Sequence, residues 1–320
     1  MNRRLGPPAR PSTARAASGS GADQLRSLLV PLDLTPSSDR VLGRLALLPL
    51  APDARITLLH VVPGSLPYGE QRRAARDASK ALASEVRHLR KQLPRQASIE
   101  ALVQSGAPAK VIAESAAELQ AELIVMGRGN SRTLRDSLVG STAERVLRQA
   151  RIPVLVARLA PRATYNRPAL ALDLDEAAHE VVRMMLRVLP PPRPRIEVIH
   201  AFDDPYQGFV YPSLSEQDAE DREDDLRTEA TRQVNAAIIA ALAKAKVPPE
   251  DAPSWKTRVH YGSPRYIVEK AIRKSESDLL VLGTRGHAGA AYVFLGTVAG
   301  DLLRAAKCDV LVVPPTPKKK

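Results

Sequence analysis

The chain has one cysteine, Cys308, so an intramolecular disulfide framework and a cysteine-based zinc cluster are both excluded. Aromatic residues make up only 3% of it, which gives little material for a stacking platform that would hold single-stranded nucleic acid. No apolar run reaches the roughly 18 residues that a membrane span needs. The phosphate-binding signature G-x-x-x-x-G-K-[ST] and the nucleophile elbow G-x-S-x-G are both absent, and no residue pattern demands catalysis. What is present is an ordinary globular composition, 44% hydrophobic and 26% charged over 320 residues. That length suits about two domains.

The formal charge of +12 invites a nucleic-acid reading, but its location weakens it. Arg3, Arg4, Arg10 and Arg15 against Asp23 leave +3 on the first 24 residues, and Lys318 to Lys320 add +3 at the other end. Half the excess therefore sits on two tails. The first tail is rich in Arg, Pro, Ala, Ser and Gly without hydrophobic periodicity, so disorder is expected for 1–24 and a short basic tail for 317–320. The first tail lacks the apolar core of a secretory signal. The expected location is the cytoplasm, with no membrane partner and no specific nucleic acid.

An internal repeat organises the rest. SLLVPLD at 27–33 parallels RPALALD at 167–173, and ITLLHV at 56–61 parallels IEVIHA at 196–201. Asp33 and Asp173 are 140 residues apart, as are His60 and His200. Further along, SGAPAKVI at 105–112 matches YGSPRYIV at 261–268, and AELIVMGRGN at 121–130 matches SDLLVLGTRG at 277–286, both at a spacing of 156. The second copy is thus longer by 16 residues, inserted between His200 and Gly262. Domain 1 is expected over 25–159 and domain 2 over 160–316. Short apolar runs read as buried strands and alternate with helical patterns, clearest at 72–93 and 109–119. That alternation predicts an α/β fold with doubly wound parallel sheets flanked by helices. The last strand of each copy is followed by no helix of its own copy, so it is an edge able to pair with another copy.

The chemistry-bearing pattern lies where strands end. Gly283-Thr-Arg-Gly286 is followed after nine residues by Gly296-Thr297; Gly127-Arg-Gly-Asn130 is followed after nine by Gly140-Ser141. A glycine leaving a buried strand permits close approach and positive φ. A Gly-Ser or Gly-Thr opening a helix offers N–H groups, a hydroxyl and the positive dipole end, which together suit phosphates. Asp33 and Asp173 end the first strands at that same edge, where doubly wound sheets bind ligands.

In this order of Asp, LLHVV-type second strand, G-x-P helix opening and G-x2-G-x9-G-[ST] loop, the chain resembles the universal stress protein family, twice over. The resemblance covers about 25–158 and 165–315. It implies five-stranded parallel sheets of order 3-2-1-4-5, ATP binding together with Mg2+, stress-response regulation rather than dedicated catalysis, and pairing through the last strand. Carried over, the cofactor-binding positions of the second copy are Asp173, Ala201, Gly283, Arg285, Gly286, Gly296, Thr297 and Val298. Those of the first are Asp33, Val61, Gly127, Asn130, Gly140, Ser141 and Thr142, with Val61 and Ala201 placed beside the adenine. Asn130 departs from the family's second glycine, which puts ATP binding by the first copy in question; the alternative is a nucleotide-free protein-interaction module in which domain 1, or both, has lost ATP, and a less favoured one is a slow ATPase or phosphotransferase. Arg128, Arg132 and Arg135 add charge to that loop.

Other expectations are plainer. His60 and His200 recur inside strands, which suggests packing or a backbone hydrogen bond. Cys308 reads as core, and Trp255 as packing in or beside the third strand of copy two. The insertion, within 202–231, carries seven acids and one arginine in 216–225, after the aromatics Phe202, Tyr206, Phe209 and Tyr211. It reads as a solvated helix start, or as a lid over the second site or a segment that docks a protein partner. A tandem chain satisfies the edge contact internally, which favours a monomer; two chains can still stack as a homodimer through other surfaces.

Overall fold

A computed structural model describes residues 24–129, 141–175, 177–202, 216–284 and 295–315. The expected tails lie outside these residues, as do Arg132, Arg135 and the segment 203–215.

In the first half the elements run β1 (Leu25–Pro31), α1 (Ser38–Leu45), β2 (Leu50–Pro63), α2 (Tyr68–Leu89), β3 (Ser98–Gly106), α3 (Pro108–Glu118), β4 (Leu123–Gly127), α4 (Thr142–Gln149) and β5 (Val154–Ala157). The second half repeats them as β6 (Pro168–Ala171), α5 (Ala178–Val188), β7 (Ile196–Phe202), α6 (Glu216–Lys244), β8 (Trp255–Tyr261), α7 (Pro264–Lys274), β9 (Leu279–Gly283), α8 (Thr297–Ala305) and β10 (Asp309–Val313).

The strands order as β3-β2-β1-β4-β5-β10-β9-β6-β7-β8. Each half therefore has the parallel order 3-2-1-4-5. Between them β5 and β10 pair antiparallel, Leu155 opposite Leu311, and join the halves into one ten-stranded sheet. The edge strand left over in each copy is thus satisfied within the chain. Helices cover both faces, which is why the central strands are apolar throughout: Leu123–Val125, Leu279–Val281 and Val310–Val312 are fully buried. One core lies under α1, α2, α5 and α6, the other under α3, α4, α7 and α8, and each is continuous across both halves.

Local chemistry explains the boundaries. Gly106 and Gly262 precede α3 and α7 with φ of +151° and +119°, and each helix then opens on a proline. Glu122 and Asp278, just ahead of β4 and β9, accept backbone N–H groups that enter β1 and β6: Arg26 at 2.8 Å, Asn166 at 2.7 Å and Arg167 at 3.0 Å. The acidic part of the insertion is helical. It forms the first turns of α6, seven residues longer than α2, with Asp218, Glu220, Asp221, Asp224 and Asp225 exposed. Trp255 opens β8 and donates its indole N–H to Asn235 Oδ1 at 3.1 Å.

The seam carries buried charge. Asp309, fully buried, accepts Arg44 Nε at 3.0 Å, the Tyr165 hydroxyl at 2.8 Å, and the backbone N–H groups of Arg158 and Leu159 at 2.7 and 2.9 Å. The Arg44 guanidinium also lies over the Tyr165 ring, 4.0 Å from its centre. Burial first, then the neighbouring Asp309 charge, pushes the Tyr165 phenol well above its usual value, so it donates as a neutral hydroxyl. A second contact across the halves joins Arg187 to Glu122 at 2.8 Å.

Cys308 is core, as expected, at 3% exposure. Burial, with Asp309 beside it, pushes the thiol up to about 12. Since the thiolate is the reactive form, a colorimetric disulfide reagent at pH 8 is expected to leave the native protein unlabelled and to titrate one thiol in denaturant. Rapid native labelling would contradict the placement. Among the described residues no helix is long and apolar enough to cross a membrane.

Candidate functional site

Because β5 and β10 are antiparallel, the carboxyl ends of the strands in the two halves face opposite edges of the joint sheet. Two equivalent sites result, far apart in the fold and built from the same positions.

In the second half Ala171 pairs with Ile199 and with Leu282. Asp173, Ala201 and Gly283 therefore leave the sheet together at one edge. The Gly296 N–H donates to the Thr284 carbonyl at 3.0 Å, which brings the start of α8 to the end of β9. In the first half Pro31 pairs with Leu59 and Leu29 with Ile124, so Asp33, Val61 and Gly127 likewise share an edge. Gly129 packs on Thr142 at the start of α4. The sheet edges thus gather Asp173, Ala201 and Gly283, with Gly296, Thr297 and Val298 following at the start of α8, and in the other half Asp33, Val61 and Gly127, with Ser141 and Thr142 at the start of α4. Asn130, Gly140, Arg285 and Gly286 lie outside the described residues.

The recurring histidines hold these edges. His60 Nδ1 lies 2.8 Å from the Leu32 carbonyl, and His200 Nδ1 lies 2.8 Å from the Leu172 carbonyl. A carbonyl only accepts, so Nδ1 carries the proton in both. Each ring pins the peptide just ahead of the aspartate, the backbone role the sequence suggested.

The expected positive φ at Gly127 and Gly283 is not found; in the first loop it falls on Gly129, at +80°. A Cβ at Gly127 would lie 3.6 Å from Val41, and one at Gly283 would lie 3.5 Å from Val181, both ordinary contacts. Neither backbone conformation nor packing against the described residues requires glycine at these two positions. At Gly129 a Cβ would come within 3.1 Å of Thr142, so there it is required.

The halves differ in how far each site satisfies itself. In the first half Ser141 caps α4, its hydroxyl accepting the Glu144 N–H at 3.3 Å. The Glu144 carboxylate is buried in the first helical turn and paired with Arg304 of α8 at 3.3 Å. Asp33 accepts Thr35 N–H and hydroxyl at 3.1 and 2.8 Å and the Ser38 hydroxyl at 3.0 Å. Burial works against its charge, but these donors and Ser37 hold it below the usual carboxylate range.

The second half lacks the cap and the first-turn acid. α8 starts one position earlier than α4, on Gly296, with no side-chain cap. Thr297, the counterpart of Ser141, is the first helical residue and is exposed. Gly300 stands where the first half has Glu144. The Thr284 hydroxyl, beside Gly283, is buried without a hydrogen-bond partner among the described residues. Asp173 accepts its neighbour's N–H, Leu174, at 2.9 Å.

The S-x-x-E spacing of Ser141 and Glu144 is a capping-box signature that reading the loop for glycines alone passes over. No group of three or more His, Cys, Asp or Glu residues able to hold a metal occurs among the described residues.

A profile of the universal stress protein family matches residues 24–158 and again 164–314. The chain belongs to the universal stress protein family, as a tandem of two domains. A universal stress protein of Synechocystis is 26% identical over 150 residues, 47% of this chain and 97% of that protein. Among solved structures, a universal stress protein from Archaeoglobus fulgidus aligns over 93% of this chain and 99% of its own, at 18% identity and a TM-score of 0.62. A Pseudomonas aeruginosa protein of unknown function aligns over 93% and 95%, at 19% identity and a TM-score of 0.59. At these identities the two structures speak for the fold alone.

Proposed function

We propose that this chain is an adenine-nucleotide-binding regulatory module of the cytoplasmic stress response, and that ATP binds at the second site only. The observation that carries the reading is the start of α8: an uncapped, uncharged first turn on Gly296, next to the buried Thr284 hydroxyl, which has no hydrogen-bond partner among the described residues. Such a helix start supplies N–H donors and the positive dipole end to a phosphate. An unpaired buried hydroxyl is costly unless something accepts from it. In this reading Asp173 accepts from ribose hydroxyls and Ala201 lies against the base. Mg2+ enters with the nucleotide, held largely by phosphate oxygens and water, in keeping with how that ion binds.

The first half is read as a scaffold that no longer takes nucleotide. Ser141 and Glu144 already fill the donor and charge positions that a phosphate would use. Nothing in either half requires turnover, so the module works by binding and by presenting its state to a protein partner.

Calorimetric titration with ATP and Mg2+ tests this. One tight site per chain is expected. No binding of any adenine nucleotide overturns the reading; two tight sites of equal affinity overturn the division between the halves.

A further inference from the structure

At the amino ends of β6, β7 and β8, on the edge of the second half away from its nucleotide site, the surface sinks into a cavity of about 320 Å3. Arg167, Arg195, Lys256 and Arg258 line it, with Glu197 as the only acid among its lining residues. We propose that this cavity is a second anion site, for a small polyanion carrying two or more phosphoryl groups.

Half of this positive charge is uncompensated: two of the four cations have no carboxylate partner among the described residues, and the other two are paired. Glu197 is paired with Arg258, both largely buried. Arg195 and Lys256 are exposed and have no carboxylate partner among the described residues. Arg167 gives its Nε–H to the Glu276 carbonyl at 2.7 Å, and its Nη1 pairs loosely with the Glu276 carboxylate at 3.8 Å, both side chains more than half exposed. Asp278, behind the wall, is occupied by the N–H groups of Asn166 and Arg167. The carboxyl end of α7 also points here, and its dipole opposes an anion. Its last carbonyls, however, are taken up: Ala271 accepts the Ser275 N–H and hydroxyl, and Ile272 the Ser277 N–H, all at 2.9 Å.

The repeat supplies an internal control. The same places in the first half hold Ser27, Arg55, Glu100 and Leu102 for Arg167, Arg195, Lys256 and Arg258. Four cations become one, opposed by a new acid. There Ser27 donates its hydroxyl to the Leu119 carbonyl at 3.3 Å, and the neighbouring Arg26 is paired with Asp53 at 3.0 Å. The fold does not need a cationic cavity at this edge, since its twin is built without one. The volume lies at the small end of ligand sites, about 300–1,000 Å3, which suits a compact bisphosphate better than a polymer. Arginine forks fit phosphoryl oxygens bidentately.

The test titrates inorganic pyrophosphate into the full chain and into the Arg195→Gln/Lys256→Gln double variant, with ATP affinity measured in both. The two residues are exposed, so the variant's melting temperature should match the parent's. Pyrophosphate should bind the parent, more weakly as salt is raised, and the double variant should lose at least tenfold in affinity while ATP affinity stays within twofold. No pyrophosphate binding at millimolar concentration, or equal binding by both proteins, overturns the site. An equal loss for ATP and pyrophosphate, which marks a general charge effect, overturns it as well. So does capture of a single-stranded oligonucleotide or a polyglutamate peptide by these residues when pyrophosphate is not bound. Should ATP fail to bind while pyrophosphate behaves as expected, the nucleotide reading falls and this cavity stands.

Discussion

Asp309→Asn is expected to lower the free energy of unfolding by about 3–5 kcal/mol, the range for removing one partner of a buried ion pair. Asp309 is fully buried and the Arg44 side chain is only 4% exposed, so the guanidinium cannot turn to water when its counter-charge is removed. The amide can still accept from Arg158 and Leu159, so the loss comes from the uncompensated cation rather than from strand pairing. Against a typical total of about 5–15 kcal/mol, that is a large fraction. Urea unfolding followed by circular dichroism measures it, and a loss under about 1 kcal/mol would show that the buried charge is not carrying the seam. The repeat also indicates a repair. Met184 and Pro153 occupy the places of Arg44 and Asp309 on the other side of the seam. Arg44→Met in the Asp309→Asn background should therefore recover much of the loss, because it removes the stranded charge.

The architecture was legible because it is written twice. Asp33 with Asp173, and Gly106 with Gly262, fixed the register of the copies. The unpaired last strand correctly announced an edge contact, met here by β5 on β10. The seam was not legible. Arg44 and Asp309 are 265 residues apart, and neither stands in a local pattern that marks a partner. The same holds for the cationic cavity, whose charges come from three separate strand ends and look like ordinary surface arginines and lysines in the sequence. At Gly127 and Gly283 the positive φ that a glycine permits is not used. Left-handed backbone belongs to Gly129, and the strand-end glycines have room for a side chain on the protein's own side. Part of the half of the +12 charge that does not lie on the tails has a structural address at the cavity.

That room makes Gly283→Val the sharpest probe of nucleotide binding. The Cβ of a valine there meets Val181 at ordinary distance among the described residues, the backbone is permitted and the residue suits a strand end, so the variant should fold. Its methyl groups enter the space where the phosphates are proposed to approach the backbone, and ATP affinity should fall at least a hundredfold, which is about 2.7 kcal/mol. Gly127→Val makes the same change in the first half, and there ATP affinity should stay within twofold, because Ser141 and Glu144 already close that site. Equal losses in the two variants would mean that the halves bind alike. Thr284→Val separates a lost ligand contact from a damaged fold. Removing a buried hydroxyl that has no partner among the described residues should leave the free protein's melting temperature unchanged or higher, whereas a hydroxyl that donates to a phosphate is worth about 1.5–3 kcal/mol of binding. A fall in both quantities would mark damage to the fold; a fall in affinity alone places the hydroxyl at the nucleotide.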